Sequence, residues 1–287
     1  MEIIRIPRIM QDVAGTHRLH GRTVGFVPTM GALHEGHLSL VRMCREENDL
    51  GVVSIYVNPM QFGPSEDLSR YPRDLEGDRK KLAKENVDIL FLPDDSLIYP
   101  EGHATFVEVE GLSGKLCGAY RPGHFRGVAT VVTKLLNIVT PVRVYFGQKD
   151  YQQALVIKKL VRDLNIAVDV VVCPTMREPD GLAMSSRNAY LSPEERRAAA
   201  VVFRALESGA EAVKSGIIMT GVLRNLMLET LGTEPLVTEI QYCSAYDPVL
   251  LDEREQIGSE TLLAMALKIG TTRLIDNMLV SRTAGPR

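Results

Sequence analysis

The stretch Pro28-Thr-Met-Gly-Ala-Leu-His-Glu-Gly-His37 places two imidazoles, His34 and His37, three residues apart and close to two glycines. On a helical turn such a pair shares one face. The stretch follows a strand-like run, Thr23 to Pro28, and precedes a helix-like run, His37 to Glu47. Open parallel sheets bind their ligands there, beyond the carboxyl ends of the strands. Gly31 and Gly36 let backbone come close to a ligand, and a helix N-terminus offers free N–H groups to an anion. Helix capping, a zinc site and a phosphate clamp are all open to the histidine pair. Catalytic zinc needs three protein ligands, and no third stands at an obvious spacing. The strand-loop-helix setting favours phosphate.

Three more stretches carry candidate chemistry. Asn58-Pro-Met-Gln-Phe-Gly63 follows the run Gly51 to Val57. Pro59 cannot continue a ladder, so this is a turn. The amide of Gln61 can hold a hydroxyl and a carboxylate together, although stabilising the turn is the plainer use of either amide. Phe146-Gly-Gln-Lys-Asp-Tyr-Gln-Gln153 follows the run Val142 to Phe146 and opens the next helix. Lys149 offers charge to a phosphate, Gln153 stands in the first helical turn, and Asp150 suits an N-cap. Met184-Ser-Ser-Arg-Asn188 joins two hydroxyls and a guanidinium, which grip phosphate oxygens from several directions. Taken alone, it reads as a polar loop.

HxGH after a first strand resembles the HIGH signature of the nucleotidyltransferase superfamily. The longer string PTMGALHEGHLSLV resembles the pantothenate synthetase family, which joins pantoate to β-alanine using ATP. NPMQF, FGQKDYQQ and REPDGLAMSSRNAYLS resemble further motifs of that family. The resemblance is dense from about residue 23 to about residue 195 and thins out beyond. It implies ATP contacts at Met30, Gly31, Ala32, Leu33, His34, Glu35, Gly36 and His37. It implies more at Gly147, Gln148, Lys149 and Asp150, and at Met176, Met184, Ser185, Ser186 and Arg187. His34, His37, Lys149 and Arg187 are the implied catalytic set, with Arg187 the cation of a KMSKS-like loop. Gln148 stands where many members carry glutamate.

The same resemblance implies Gln61 and Gln153 as pantoate ligands, with Asn58 in the substrate site. Tyr71-Pro-Arg73 and the region to Asp78 resemble a segment near phosphate and Mg2+. Glu76-Gly77-Asp78 is less acidic than the matching run, which leaves Asp78 as the implied metal ligand. Gly123-His-Phe-Arg-Gly127 resembles the approach to a helix beside the active site, where His124 and Arg126 either face phosphates or serve structure. The implied reaction forms a pantoyl adenylate, which β-alanine then attacks. Family members are typically homodimers, and the same is implied here.

The elements that must hold these residues are legible as periodicities. The runs Thr23 to Pro28, Gly51 to Val57, Val87 to Leu92, Val142 to Phe146 and Val168 to Cys173 are continuously apolar. They alternate with helical patterns at His37 to Glu47, Leu75 to Asn86 and Tyr151 to Leu164. Val128, Val131, Val132, Leu135, Leu136 and Val139 form a further helical stripe, ended by Pro141. Buried strands alternating with helices predict a doubly wound, Rossmann-like α/β domain with a parallel sheet over residues 1–175. By the resemblance this domain binds ATP and pantoate. Residues 174–188 read as a loop or hinge. Ser192, Pro193 and Glu195 form a capping box that starts a helix running to about Lys214, and Thr220 is a second cap. Strand-like stretches follow at Val237 to Ala245, Thr261 to Lys268 and Leu274 to Val280. Residues 176–287 are thus expected to form a smaller α+β domain. It carries the MSSRN loop and closes as a lid that keeps water from the adenylate.

Composition narrows the function classes. The chain has 287 residues, 45% hydrophobic and 24% charged, an ordinary globular balance that excludes disorder and fibres. Its 33 basic and 36 acidic residues give a formal charge of −3, against a basic nucleic-acid binder or a tRNA-charging enzyme. A non-catalytic nucleotide-binding regulator has no use for substrate-specific glutamines. The four cysteines, at 44, 117, 173 and 243, form no CxxC and suggest reduced thiols. The first residues lack a signal-peptide core, and no window approaches a membrane span. A cytoplasmic enzyme using small molecules, without nucleic acid or membrane, is expected.

Overall fold

The computed structural model describes residues 1–64 and 66–282. In chain order, β1 (Glu2–Ile4) is followed by α1 (Pro7–Leu19), β2 (Val24–Thr29), α2 (Glu35–Glu47) and β3 (Leu50–Ile55). Next come α3 (Leu75–Lys84), β4 (Ile89–Phe91), α4 (Asp95–Ile98), α5 (Cys117–Tyr120) and α6 (His124–Val139). Then β5 (Arg143–Gly147), α7 (Tyr151–Asp163) and β6 (Asp169–Cys173) complete the alternation. The chain continues through α8 (Pro193–Ala198), α9 (Val201–Lys214) and α10 (Thr220–Gly232) to β7 (Val237–Tyr246), β8 (Glu260–Ile269) and β9 (Thr272–Ser281). Packing divides the chain into two units. One holds residues 1–114, 121–148 and 153–174, and the other holds residues 115–120, 149–152 and those from Thr175 onward.

In the first unit six strands form one sheet in the order β1-β4-β3-β2-β5-β6, and every pairing is parallel. Helices cover both faces, so Val24, Phe26, Val27, Val52, Val53 and Leu90 are all buried irrespective of alternation. The strand order reverses between β2 and β5, which makes their carboxyl ends the topological switch point. β2 pairs with β3 along its whole length, from Val24 with Leu50 to Thr29 with Ile55. With β5 it pairs only at Gly25 and Phe26, opposite Arg143 and Val144. The carboxyl halves of β2 and β5 are therefore free to part, opening a crevice. The stripe on α6 is buried throughout, and Thr140 ends the helix at φ 42° just before Pro141.

In the second unit, β7, β8 and β9 form an antiparallel sheet packed by α9 and α10. Leu206, Leu223, Met227, Leu263 and Met265 form its core. The predicted capping box is present: Glu195 N–H donates to Ser192 Oγ at 3.2 Å, and Ser192 N–H donates to Glu195 Oε2 at 2.8 Å. The helix it starts does not run unbroken to Lys214. Ala200 N–H donates to Arg197 O and Val202 N–H to Ala199 O, a tighter i to i−3 pattern that separates α8 from α9. Small, buried Ala198, Ala199 and Ala200 allow the chain to bend there. Thr220 is the first residue of α10 rather than its cap; Met219 holds the cap position and the Thr220 side chain is buried.

Candidate active site

The chain leaves β2 through a turn that ordinary residues resist. Gly31 has φ 81°, and a Cβ there would meet Ile55 Cγ2 at 3.0 Å and Asp78 Oδ2 at 3.1 Å. Ala32 follows at φ 49°, in the left-handed region. Asp78 from α3 holds this conformation. Ala32 N–H donates to its Oδ2 and Leu33 N–H to its Oδ1, both at 2.7 Å. Lys81 Nζ donates to Leu33 O at 2.6 Å. Asp78 is 1% exposed. Burial pushes its carboxyl above the ordinary range, while the Leu33 and Ala32 amides and Lys81 pull it back. The sequence suggested Asp78 as a metal ligand. Here each oxygen accepts a backbone N–H, so the residue is a clamp on the loop. Among the described residues, no group of three or more His, Cys, Asp or Glu side chains is placed to hold a metal ion.

The clamp delivers His34 to the N-cap of α2 and His37 to its first turn. Their ring centroids lie 4.1 Å apart at an interplanar angle of 42°. His34 N–H donates to His37 Nδ1 at 3.4 Å. An Nδ1 that accepts leaves the proton of a neutral imidazole on Nε2, so His37 presents Nε2–H as a donor. Glu35 instead turns along α2 to pair with Arg42, which also reaches Glu85.

Gln61 sits in the 3-10 turn Pro59–Gln61 after β3 and is buried. Asn58 Nδ2 donates to Gln61 Oε1 at 3.1 Å and to Gly127 O at 3.1 Å. Asn58 Oδ1 accepts from Met60 N–H at 3.3 Å and from Tyr99 Oη at 2.9 Å. All four hydrogen-bonding positions of Asn58 are filled by protein. Asn58 therefore positions Gln61. The Gln61 amide nitrogen faces Met30 Sδ at 3.1 Å, a weak acceptor that a better one can replace.

The Gln61 backbone is held as firmly. Arg121 Nη1 donates to His124 Nε2 at 3.0 Å, so His124 Nδ1 carries the proton it donates to Gln61 O at 2.9 Å. Arg121 is gripped by Glu66 through bonds of 2.7 and 2.6 Å. Burial pushes the Glu66 carboxyl up, but Arg121 outweighs it and holds the group below its usual range. Arg126 lies 4.0 Å over the Phe106 ring. Of the two open readings for His124 and Arg126, these contacts fit the structural one. α6 approaches the turn so closely that a Cβ on Gly127 would stand 2.3 Å from Met60 O. Nothing in the spacing of Tyr99, Glu66, Arg121 and Gly127 ties them to Gln61, so this support is visible only in the fold.

β5 ends at Gly147, opposite Cys173, and Gln148–Asp150 form a 3-10 turn into α7. Gln148 thus lies on the same sheet edge as the His34 loop. Gln153 stands half-buried on α7, while its neighbour Gln152 holds Cys117 N–H and Lys115 O. Lys149 and Asp150 belong to the second unit, with Lys149 Nζ 3.8 Å from Asp150 Oδ1. There the MSSRN loop springs from a narrow stem. Met184 N–H donates to Met176 O at 3.0 Å, and Arg177 bridges Ala183 in antiparallel fashion. Ser185 Oγ caps the following 3-10 turn by accepting from Arg187 N–H at 3.3 Å.

A helix N-terminus with a donor imidazole, beside an anchored amide at a switch point, suits an anion joined to a polar substrate. The family model of pantoate-beta-alanine ligase matches residues 2–279. The chain belongs to this family. Pantoate-beta-alanine ligases are enzymes, and this chain is one of them. A pantothenate synthetase of Thermodesulfovibrio yellowstonii is 57% identical over 98% of this chain and 100% of its own length. One from Moorella thermoacetica is 52% identical over 98% and 99%. The crystal structure of pantothenate synthetase from Thermus thermophilus matches with a TM-score of 0.92 at 45% identity, covering 97% of this chain and 99% of that one. The pantoate-beta-alanine ligase of Francisella tularensis, solved in complex with beta-gamma ATP and beta-alanine, matches with a TM-score of 0.81 at 36% identity over the whole of both chains. Both share the architecture of a six-stranded parallel sheet followed by a small antiparallel one. Among the described residues, no helix is long and apolar enough to cross a membrane.

Proposed function

We propose that the enzyme condenses pantoate with β-alanine at the expense of ATP through a pantoyl adenylate. The observation that carries this reading is the histidine pair at the start of α2, His34 at the N-cap and His37 in the first turn, directly after the loop that leaves β2 at the switch point. The Francisella relative's complex with beta-gamma ATP and beta-alanine supports ATP and β-alanine as substrates. In the first half-reaction a pantoate carboxylate oxygen forms a bond to the α-phosphorus, the bond to the bridging oxygen breaks, and pyrophosphate leaves. Such transfer depends on positioning and charge neutralisation, without a protein nucleophile. His34, His37, Lys149 and Arg187 are assigned to the charge that develops, with Ser185 and Ser186 on phosphate oxygens. Backbone of Met30 to Gly36, Gly147 to Asp150, Met176 and Met184 completes the nucleotide site. In the second half-reaction the β-alanine amine attacks the acyl carbon, AMP leaves, and the amine gives up a proton.

Gln61 and Gln153 are assigned to pantoate, with Asn58 behind Gln61. Asp78 is engaged by the loop amides, so magnesium enters in this reading on the phosphates of ATP and no step runs through it. Residues 1–175 then bind ATP and pantoate, the part from residue 176 supplies the MSSRN loop, and the enzyme works as a cytoplasmic homodimer. Pyrophosphate exchange into ATP tests the proposal. Exchange that requires pantoate and not β-alanine supports the adenylate; exchange absent with an otherwise active enzyme rejects it.

A further inference from the structure

The last strand carries two adjacent buried polar residues that the assignments above do not use. Asp276 is 3% and Asn277 4% exposed. Successive strand residues face opposite sides of a sheet. Asp276 shares the side of Leu274 and Val280, which belong to the core packed by α9 and α10. Its carboxylate accepts from Arg177 Nη1 at 2.6 Å and Nη2 at 3.1 Å. The same guanidinium donates to Gly181 O at 3.0 Å and Asn277 O at 3.3 Å, and lies 4.5 Å over the Phe203 ring. Arg177 thereby ties both arms of the stem below Met184–Arg187 to β9. Burial pushes the Asp276 carboxyl up and Arg177 pulls it back, so each charge depends on the other. On the other side of the strand, Asn277 Nδ2 donates to Lys149 O at 2.9 Å.

We propose that Asp276 and Asn277 are positioning residues for adenylation: one dipeptide sets the stem of the MSSRN loop and the backbone of Lys149 in a common frame. The inference rests on the assignment of Lys149 and that loop to ATP. Neither residue touches the reacting atoms. A backbone carbonyl held from β9 fixes where the Lys149 ammonium starts, and a fork on Asp276 fixes where the Ser185 hydroxyl starts. A small displacement of such groups is costly to a transfer that depends on placement.

The test uses Asn277→Ala and the near-isosteric Asn277→Asp, which cannot donate to Lys149 O when ionised. Asp276→Asn tests the other arm. KM for ATP, pyrophosphate exchange and conversion of supplied pantoyl adenylate are measured on the full chain. Loss of one hydrogen bond should raise the ATP KM and slow exchange by about tenfold. Aminolysis of the adenylate should stay within about twofold, since no triphosphate is bound in that step. Equal losses in both half-reactions, or wild-type ATP kinetics in Asn277→Asp, overturn the proposal. If both Asn277 variants fail to fold by melting, the pair is purely structural and the proposal falls too. Lys149→Ala separates the two levels. Normal exchange in that variant removes Lys149 from the site and takes this proposal with it. Impaired exchange there with normal Asn277→Asp rejects the positioning role alone.

Discussion

Asn58 Nδ2 donates to Gln61 Oε1, and this single bond decides which end of the Gln61 amide faces Met30. With its oxygen engaged, Gln61 presents its nitrogen, a donor suited to a hydroxyl or carboxylate of pantoate. Gln61→Ala should reduce kcat/KM for pantoate by one to two decades, since losing a buried partner costs roughly 1–3 kcal/mol. The KM for ATP should stay near normal. Gln153→Ala should behave alike. Unchanged pantoate kinetics in both would remove them from the substrate site.

Gly127 shows how closely the helix must approach that turn. A methyl group there meets backbone, Met60 O at 2.3 Å and Gln61 N at 2.7 Å, and backbone cannot swing aside. Gly127→Ala should therefore destabilise the protein by about 1–3 kcal/mol through overpacking. It should also raise the pantoate KM, because Gln61 moves with the turn. Urea denaturation and pantoate titration measure the two effects. A stable variant with ordinary pantoate affinity contradicts the packing argument.

The elements around the site were legible where the signal is local. The apolar stripe of α6 and the Ser192–Glu195 box both repeat within a few residues, so periodicity and capping rules found them. β1 and α1 carry little signal: β1 has three residues, and α1 buries only Met10 and Ala14. The break between α8 and α9 also escaped, because alanines are good helix formers and the bend comes from packing. At the site, HEGH and NPMQF were visible as strings. What holds them was not. Asp78 lies 46 residues from Ala32, and His124 lies 63 from Gln61. Such pairs exist only once the sheet brings its edges together.

Asp78 makes a prediction against its own expected role. As a clamp, Asp78→Ala takes the acceptor from the buried Leu33 amide and from the half-buried Ala32 amide. That should cost roughly 1–3 kcal/mol of stability for each orphaned donor. Asp78→Asn keeps one acceptor and should lose less. The concentration of Mg2+ giving half-maximal activity should be the same in Asp78→Asn as in the wild type. A tenfold rise in that concentration, without loss of stability, would restore Asp78 as a metal ligand.

Glu66 gives the pH dependence. Its folded pKa is depressed by Arg121, despite burial. A depressed carboxylate contributes stability above its unfolded value of about 4.3, and that contribution is lost as pH falls through the folded value. The stability difference between wild type and Glu66→Gln should therefore be constant from neutral pH to about pH 5, then shrink on further acidification. Denaturation curves across that range decide it. A difference that widens in acid has the wrong sign for this ion pair.

The last prediction concerns which nitrogen of His37 acts. The His34 amide donates to Nδ1, which puts the proton of a neutral ring on Nε2, so Nε2–H is the donor assigned to an α-phosphate or a leaving oxygen. Its place at the N-terminus of α2 puts it beside an anion favoured by the helix dipole. Loss of one preorganised donor to developing charge costs on the order of 10²–10³ in rate, which is expected for adenylation in His37→Ala. Attack of the amine on supplied pantoyl adenylate should lose much less, having no triphosphate to hold. Asparagine and glutamine discriminate the two ring nitrogens. The amide nitrogen of glutamine reaches as far as Nε2, while that of asparagine reaches only as far as Nδ1. His37→Gln should recover part of the adenylation rate and His37→Asn little of it. The reverse order would mean that Nδ1 is the acting nitrogen and that the His34 amide releases it when ATP binds. Equal losses in both half-reactions, or zinc retained by the wild type and lost from His37→Ala, would end the phosphate-donor assignment.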